Sequence, residues 1–395
     1  MNYMKTIDRN WDNTIFADIM SPAKVILCGN RKDLPVLSIT MHDGIVEQKD
    51  RFKKVIASQD TSKYKVVKNG QLVIAFPIDE GLIYTQDVAD EGIMSPAYNV
   101  WNVNYENFDR RFLGLYFHSP FAMAYYKENL RGTTQRRRAL PKEVLLSMPI
   151  PKPSLSKQKE IVAEIDGISF AISLLQKQVS DLDFLNKSIF YEMFGGTNPK
   201  DKGWKIESIG KLFEVGTGST PDRSKKDIYF GGNYPWVKTT EVQGCEIYKT
   251  EECITEKALK ETSCTLYPVD TILMAMYGQG KTRGQIAKLK VEAATNQACA
   301  AIKPNEEICL VDYVYNFLDF SYEKIREMGR GGTQPNLNLG LVKSIVIPVP
   351  PIAHQQAYVN KALSICDIKM SYNSQIKDLR TLLEARMQYW FDQKL

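Results

Sequence analysis

The sequence predicts an α+β protein: two globular units in a pseudo-two-fold repeat, separated by two long antiparallel helices of coiled-coil type. Three observations predict it. A heptad seam runs from Ile161 to Met193, the end of the chain repeats the middle, and strand-like runs in both intervening segments give way to helical ones. The division that follows is a first globule over residues 1–150 and a central helix over 151–196. A second globule over 197–350 and a C-terminal helix over 351–395 complete it.

The seam is the strongest of the three signals. Ile161, Ile165, Ile168, Ile172, Leu175, Val179, Leu182, Ile189 and Met193 fall at steps of four and three, and Asn186 fills the one missing position. A single helix of about 40 residues over Leu155–Phe194 would be roughly 60 Å long. It cannot bury its stripe on itself, so it needs a partner helix. Pro149, Pro151 and Pro153 forbid helix before it, Ser154 or Ser156 can cap its start, and Gly195 and Gly196 can supply a left-handed stop. Asn186 either fixes register as a buried polar residue or is exposed at a fraying end.

The partner lies in the same chain. A shift of 197 residues carries Ile150-Pro151 onto Ile347-Pro348, Gln158 onto Gln355, Val162 onto Val359 and Ile168 onto Ile365. It also carries Leu182 onto Leu379 and Phe194 onto Phe391. The second helix is expected from about Pro351 to Trp390, with a poorer seam because Lys369 and Arg386 take two of the transferred positions.

The first globule contains strand-like runs at Pro35–Ile39, Leu72–Phe76 and Tyr98–Val103, then a helical stretch from about Phe108 to Asn129. A basic loop follows, Arg131-Gly-Thr-Thr-Gln-Arg-Arg-Arg138. The second globule repeats the plan. Strand-like runs at Tyr234–Val237 and Asp270–Ala275 precede a helical stretch from about Val311 to Met328 and the loop Arg330-Gly-Gly-Thr-Gln334. A repeat this large means two copies of one functional unit, and an antiparallel helix pair would relate them by an approximate two-fold axis.

Composition narrows the classes. Seven cysteines without a Cys-x-x-Cys pair read as reduced thiols in a cytoplasmic protein. No apolar run reaches membrane-spanning length, and Asp8, Arg9, Asp12 and Asp18 make the first residues unlike a signal peptide. A formal net charge of +5 permits a nucleic-acid partner without arguing for one.

Together these motifs resemble the specificity subunit of a Type I restriction–modification enzyme. The residues that carry the resemblance are Ser147-Met-Pro-Ile-Pro-x-Pro153 with Gln158 and Ile161, and their copy Ser344-Ile-Val-Ile-Pro348 with Pro350 and Gln355. The loop Arg330-Gly-Gly-Thr-Gln-Pro-Asn336 carries it too, as does Gly216-Thr-Gly-Ser-Thr-Pro221 with Tyr229-Phe-Gly-Gly-Asn-Tyr-Pro-Trp236. The first globule has no good copy of that Gly-Gly-x-x-Pro-Trp opening. The resemblance implies two target-recognition domains, each reading one half of a bipartite double-stranded DNA site. It implies helices that space these domains and dock two modification (methyltransferase) subunits, with restriction/translocase subunits beside them. The chain itself would be a non-catalytic specificity subunit that needs no cofactor.

The residues agree with that implication. Methyltransferase chemistry needs an Asn/Asp-Pro-Pro-aromatic tetrapeptide, which the sequence lacks, and Gly216-Thr-Gly218 reads as a turn. Pro221-Asp222 with Glu241-Val-Gln243 loosely echoes a nuclease metal site, but its lysine is missing. His42, His118 and His354 lack the paired spacing of a zinc site, and there is no Gly-Lys-Ser/Thr phosphate loop.

DNA-contact candidates are Arg131, Thr134, Gln135, Arg136, Arg137 and Arg138, where clustered arginines can neutralise phosphates or read guanine. A solvated charge run is the alternative. Tyr277, Lys281, Thr282 and Arg283 form a basic, aromatic loop after a strand-like run, and an ordinary surface loop is the alternative. Lys238 and Thr239 follow Trp236 at a strand end. Arg330 is a further candidate; Gln135 and Gln334 could hydrogen-bond bases, but they recur in both halves, which favours positioning backbone over specifying sequence. Trp101 and Trp236 read as core. Two rival functions remain: a coiled-coil scaffold with two protein-binding globules, and a restriction or modification enzyme with its own active site.

Overall fold

Both long helices form where the seam places them, at Leu155–Phe194 and Ile352–Phe391. The structure is a computed structural model and describes residues 11–31, 33–41, 43–51, 60–131, 140–195, 202–278, 280–329 and 336–391. The chain divides into two compact units. One takes residues up to Gln176 together with those from Ser374, and the other takes Lys177–Asn373.

The first unit is built on a four-stranded antiparallel sheet in the order Met20–Pro22, Asn99–Val103, Leu72–Ile74, Ile83–Thr85. The second unit has the same order in Glu214–Thr217, Cys299–Lys303, Ile272–Ala275 and Ile286–Leu289. Cys245–Ile247 adds a fifth, parallel strand at its edge. The internal repeat is thus a repeat of topology, carried by strands too short to show it in sequence.

Each unit's helical stretch is broken once. In the first, Arg110–Phe117 gives way to Pro120–Asn129. Pro120 has no N–H to continue the first helix, while the Ser119 hydroxyl accepts from the Ala122 amide at 3.2 Å and caps the next. In the second, Val311–Phe320 ends at Ser321 before Tyr322–Met328.

The joints between globule and helix are built alike. Asp12–Ile15 pairs antiparallel with Pro149–Lys152, and Lys205–Ser208 pairs with Val346–Val349. Two-stranded pairing tolerates the prolines, which cannot donate to a central ladder. Ser154 caps the central helix by accepting from the Lys157 amide at 3.3 Å, and Gly195 ends it with φ +82°.

Within each unit, the start of one long helix packs antiparallel against the end of the other. In the first, Ile161 and Ile165 are fully buried with Trp390 and Phe391. Burying an isoleucine of this kind contributes roughly 1.5–3 kcal/mol. Phe391 lies 5.5 Å from Phe112 and 5.9 Å from Tyr116 between ring centroids. In the second unit its counterpart Phe194 sits edge-on to Tyr313 at 4.9 Å and to Tyr358 at 5.7 Å.

The second helix keeps an unbroken heptad. Gln355, Tyr358, Ala362, Ile365, Lys369, Tyr372, Ile376, Leu379, Leu383, Arg386 and Trp390 are among its buried or half-buried positions and fall at steps of three and four. Its two charged members are neutralised across the pair, Lys369 by Asp183 and Arg386 by Glu164. Asn186 is half-buried and bonded rather than frayed. Its Oδ1 accepts from the Tyr358 hydroxyl at 2.9 Å, and its Nδ2 donates to Asn316 at 3.1 Å.

Candidate nucleic-acid interface

The five-stranded sheet of the second unit gathers separated segments at one of its ends. Thr217 pairs with Ala300, Ala275 with Cys299, Met274 with Ile286, and Cys245 with Ala287. Four connections therefore meet there: residues 218–222, 238–244, 276–285 and 296–298. Lys238, Thr239, Tyr277, Lys281, Thr282 and Arg283 all lie on them.

The glycine motifs make this end compact. A Cβ on Gly218 would lie 1.8 Å from the Thr295 carbonyl oxygen, and the next amide, Ser219, donates to that oxygen at 2.9 Å. A Cβ on Gly232 would lie 2.4 Å from the carbonyl oxygen of Ile254. Only glycine lets these backbones cross. Trp236 is buried, and its indole N–H donates to the Ser219 carbonyl at 3.0 Å.

The 276–285 connection is held in shape by the helix Tyr322–Met328. The Tyr322 hydroxyl donates to the Lys281 carbonyl at 2.5 Å, and Arg326 donates to the Gly280 carbonyl at 2.6 Å. Gly278 has φ +142°, and a Cβ there would lie 2.7 Å from that of Thr282. Tyr277 and Lys281 are exposed, whereas Arg283 is buried at 7% exposure in the base of the loop. The Leu337 amide donates to the Met276 carbonyl at 3.0 Å, which brings the chain that follows Arg330–Gln334 to the same end.

Lys238 is differently placed. Its ammonium is paired with Glu251 and lies 3.6 Å from Glu252, and the Glu251 hydrogen bond raises its pKa. Thr239 donates to Asn296 Oδ1 at 2.8 Å. Arg131 is exposed. Thr134, Gln135, Arg136, Arg137, Arg138, Arg330 and Gln334 lie outside the described residues.

The acidic residues of the nuclease echo serve the backbone. Asp222 accepts from the Ser224 amide at 2.9 Å, and Glu241 accepts from the amides of Lys238 at 2.8 Å and Glu251 at 3.0 Å. Among the described residues, no group of three or more His, Cys, Asp or Glu could hold a metal ion, and no helix is long and apolar enough to cross a membrane.

Two residues at these sheet ends carry no sequence signal of a binding site. Gln297 is exposed on the 296–298 turn. Phe76 is 47% exposed just past the first-unit strand Leu72–Ile74, which occupies the same place in its sheet as Ile272–Ala275. That first-unit loop is also held from a helical segment, with His118 Nε2 at 3.0 Å from the Gly81 carbonyl oxygen. Both placements depend on strand pairing between residues far apart in the chain.

Residues 201–378 match the family described as Type I restriction modification DNA specificity domain. The specificity subunit of the Type I restriction enzyme MjaIX of Methanocaldococcus jannaschii is 30% identical over 207 residues, 51% of this chain and 46% of that protein. The chain spans about half the length of the curated relatives it matches. A chain solved in work on assembly and conformational transition of the type I R-M system superposes with TM-score 0.63 at 16% identity, covering 96% of this chain and 97% of that one. The crystal structure of the Type-I restriction-modification system S subunit from M. genitalium superposes with TM-score 0.55 at 13% identity, covering 98% and 97%. These two share the fold. Over residues 201–378 the chain is thus similar to the DNA specificity domain of Type I restriction–modification enzymes, and the curated relatives it matches are specificity subunits.

Proposed function

We propose that this chain is the DNA-recognition subunit of a Type I restriction–modification system. It reads a bipartite double-stranded target and directs methylation and restriction by partner subunits, without chemistry of its own. The domain of residues 1–150 reads one half-site and that of 197–350 reads the other. The helices of 151–196 and 351–395 act as the spacer. The observation that carries this reading is the duplicated sheet end, where loops fixed by helix side chains present Tyr277 and Lys281 in one unit and Phe76 in the other. Exposed lysine and aromatic side chains on a rigid scaffold suit phosphate contact and groove entry. The arginine run of residues 136–138 and the loop of 330–334 would add contacts in each half. Modification subunits dock on the long helices, whose outer faces expose Phe170 at 69% and Phe184 at 74%.

The test is selection of bound duplexes by the full chain with its modification subunits, from a library of two randomised blocks separated by variable gaps. The reading predicts two short preferred blocks at one fixed gap. A single continuous preferred block, or none, would contradict it.

A further inference from the structure

Gln297 stands on a tightly tied turn at the sheet end of the second unit. Asn296 donates its amide to the Val237 carbonyl at 3.2 Å. Its Oδ1 accepts from the Ala298 amide at 3.1 Å and from the Thr239 hydroxyl at 2.8 Å. The Gln297 carbonyl accepts from the Thr217 hydroxyl at 3.2 Å, and the Cys299 amide closes the turn onto the Asn296 carbonyl at 3.2 Å. The backbone beneath this side chain is therefore fixed by its own turn and from two other segments, at Thr217 and at 237–239.

The side chain is oriented too. The Thr220 hydroxyl, on the Gly216–Pro221 motif, donates to Gln297 Oε1. On this exposed side chain that bond leaves one lone pair on Oε1 and both Nε2 hydrogens without a hydrogen-bond partner among the described residues. One free acceptor beside free donors on a fixed amide plane is the pattern that meets the major-groove edge of adenine, with N6 donating and N7 accepting. The equivalent turn of the first unit is Ser95-Pro-Ala-Tyr98, which offers no amide side chain. A difference between the two copies at an otherwise equivalent place is what distinct half-sites require.

We propose that Gln297 is a base-reading residue for the half-site of the second unit, with adenine as its preferred partner and Thr220 as its positioning residue. The proposal rests on the reading that this sheet end binds DNA. A rigid support under an exposed amide holds the reading group in place before DNA arrives, so little ordering opposes binding.

The experiment repeats the library selection with full-length Gln297→Ala, Gln297→Glu and Thr220→Val. Gln297→Ala should lose discrimination at one adenine-containing position of one block by roughly tenfold, since a bidentate pair contributes about 1–3 kcal/mol. Gln297→Glu, whose side chain only accepts, should move that position toward cytosine. Thr220→Val should blunt the same position and no other. An unchanged preference in Gln297→Ala, or uniform weakening at every position, overturns the proposal. A parent protein that selects no bipartite target contradicts the functional reading instead, and the two failures are distinguishable.

Discussion

Gln158 and Gln355, one in each unit, make the same three hydrogen bonds at the same joint. Gln158 Oε1 accepts from the Asp109 amide at 2.7 Å, and its Nε2 donates to the carbonyls of Asn107 and Pro153, both at 2.9 Å. Gln355 Oε1 accepts from the Leu310 amide at 2.9 Å, and its Nε2 donates to Ile308 at 3.0 Å and Pro350 at 2.8 Å. Both side chains are fully buried. Each ties the first turn of a long helix to the loop before a helix of its globule. The amide is the one side-chain group that can satisfy a buried N–H and two buried carbonyls together.

Replacing either glutamine by alanine should therefore orphan three buried backbone groups. We expect a loss of roughly 2–4 kcal/mol for Gln158→Ala and for Gln355→Ala. The Asp109 or Leu310 amide respectively should lose protection in hydrogen exchange. A change within about 0.5 kcal/mol, the range of ordinary surface substitutions, would mean that the joint does not depend on these bonds.

The pair Glu164–Arg386 makes first-unit stability depend on pH. Arg386 donates to Glu164 Oε2 at 2.9 Å, and the Trp390 indole donates to the same oxygen at 2.8 Å. The Arg386 hydrogen bond, with help from Trp390, lowers the Glu164 pKa. A carboxylate whose folded pKa is depressed stabilises above its ordinary value, and that stability is lost as pH falls through the folded value. Urea midpoints of the parent protein should therefore fall on acidification more than those of Glu164→Gln, with the curves converging at low pH. Parallel curves would show that the pair contributes nothing to folding.

The 277–284 loop separates two kinds of cation. Lys281→Ala should weaken binding to every sequence and reduce the salt slope by about one. Arg283→Ala removes a buried side chain, so its effect should fall on loop order and second-half preference while the slope stays near that of the parent. The check is a salt series on one duplex. Equal slopes for the parent and Lys281→Ala would place that lysine away from phosphate.

Much of this was legible in the sequence because it is local. The helix ends follow from Pro153, Ser154 and Gly195, and the seam from residues three and four apart. Gln158 and Gln355 emerged from the 197-residue shift, although nothing local indicates their buried bonds. Other features depend on distant partners. Lys238 reads as a free cation until Glu251 and Glu252 meet it across a strand pair. Arg283 reads as one more cation of a basic loop, yet it is buried at the base of that loop. Lys369 and Arg386 read as defects in the second seam, and their partners Asp183 and Glu164 lie on the other helix. Gln297 has no motif of its own, because its place depends on strand order and on Thr220.

Methylome sequencing of a host with and without this gene tests the central claim most directly. Recognition by two units, each with its own sheet end, predicts that one methylated motif disappears with the gene, consisting of two short blocks divided by unspecified bases. Unchanged methylation, or loss of an undivided motif, would contradict it.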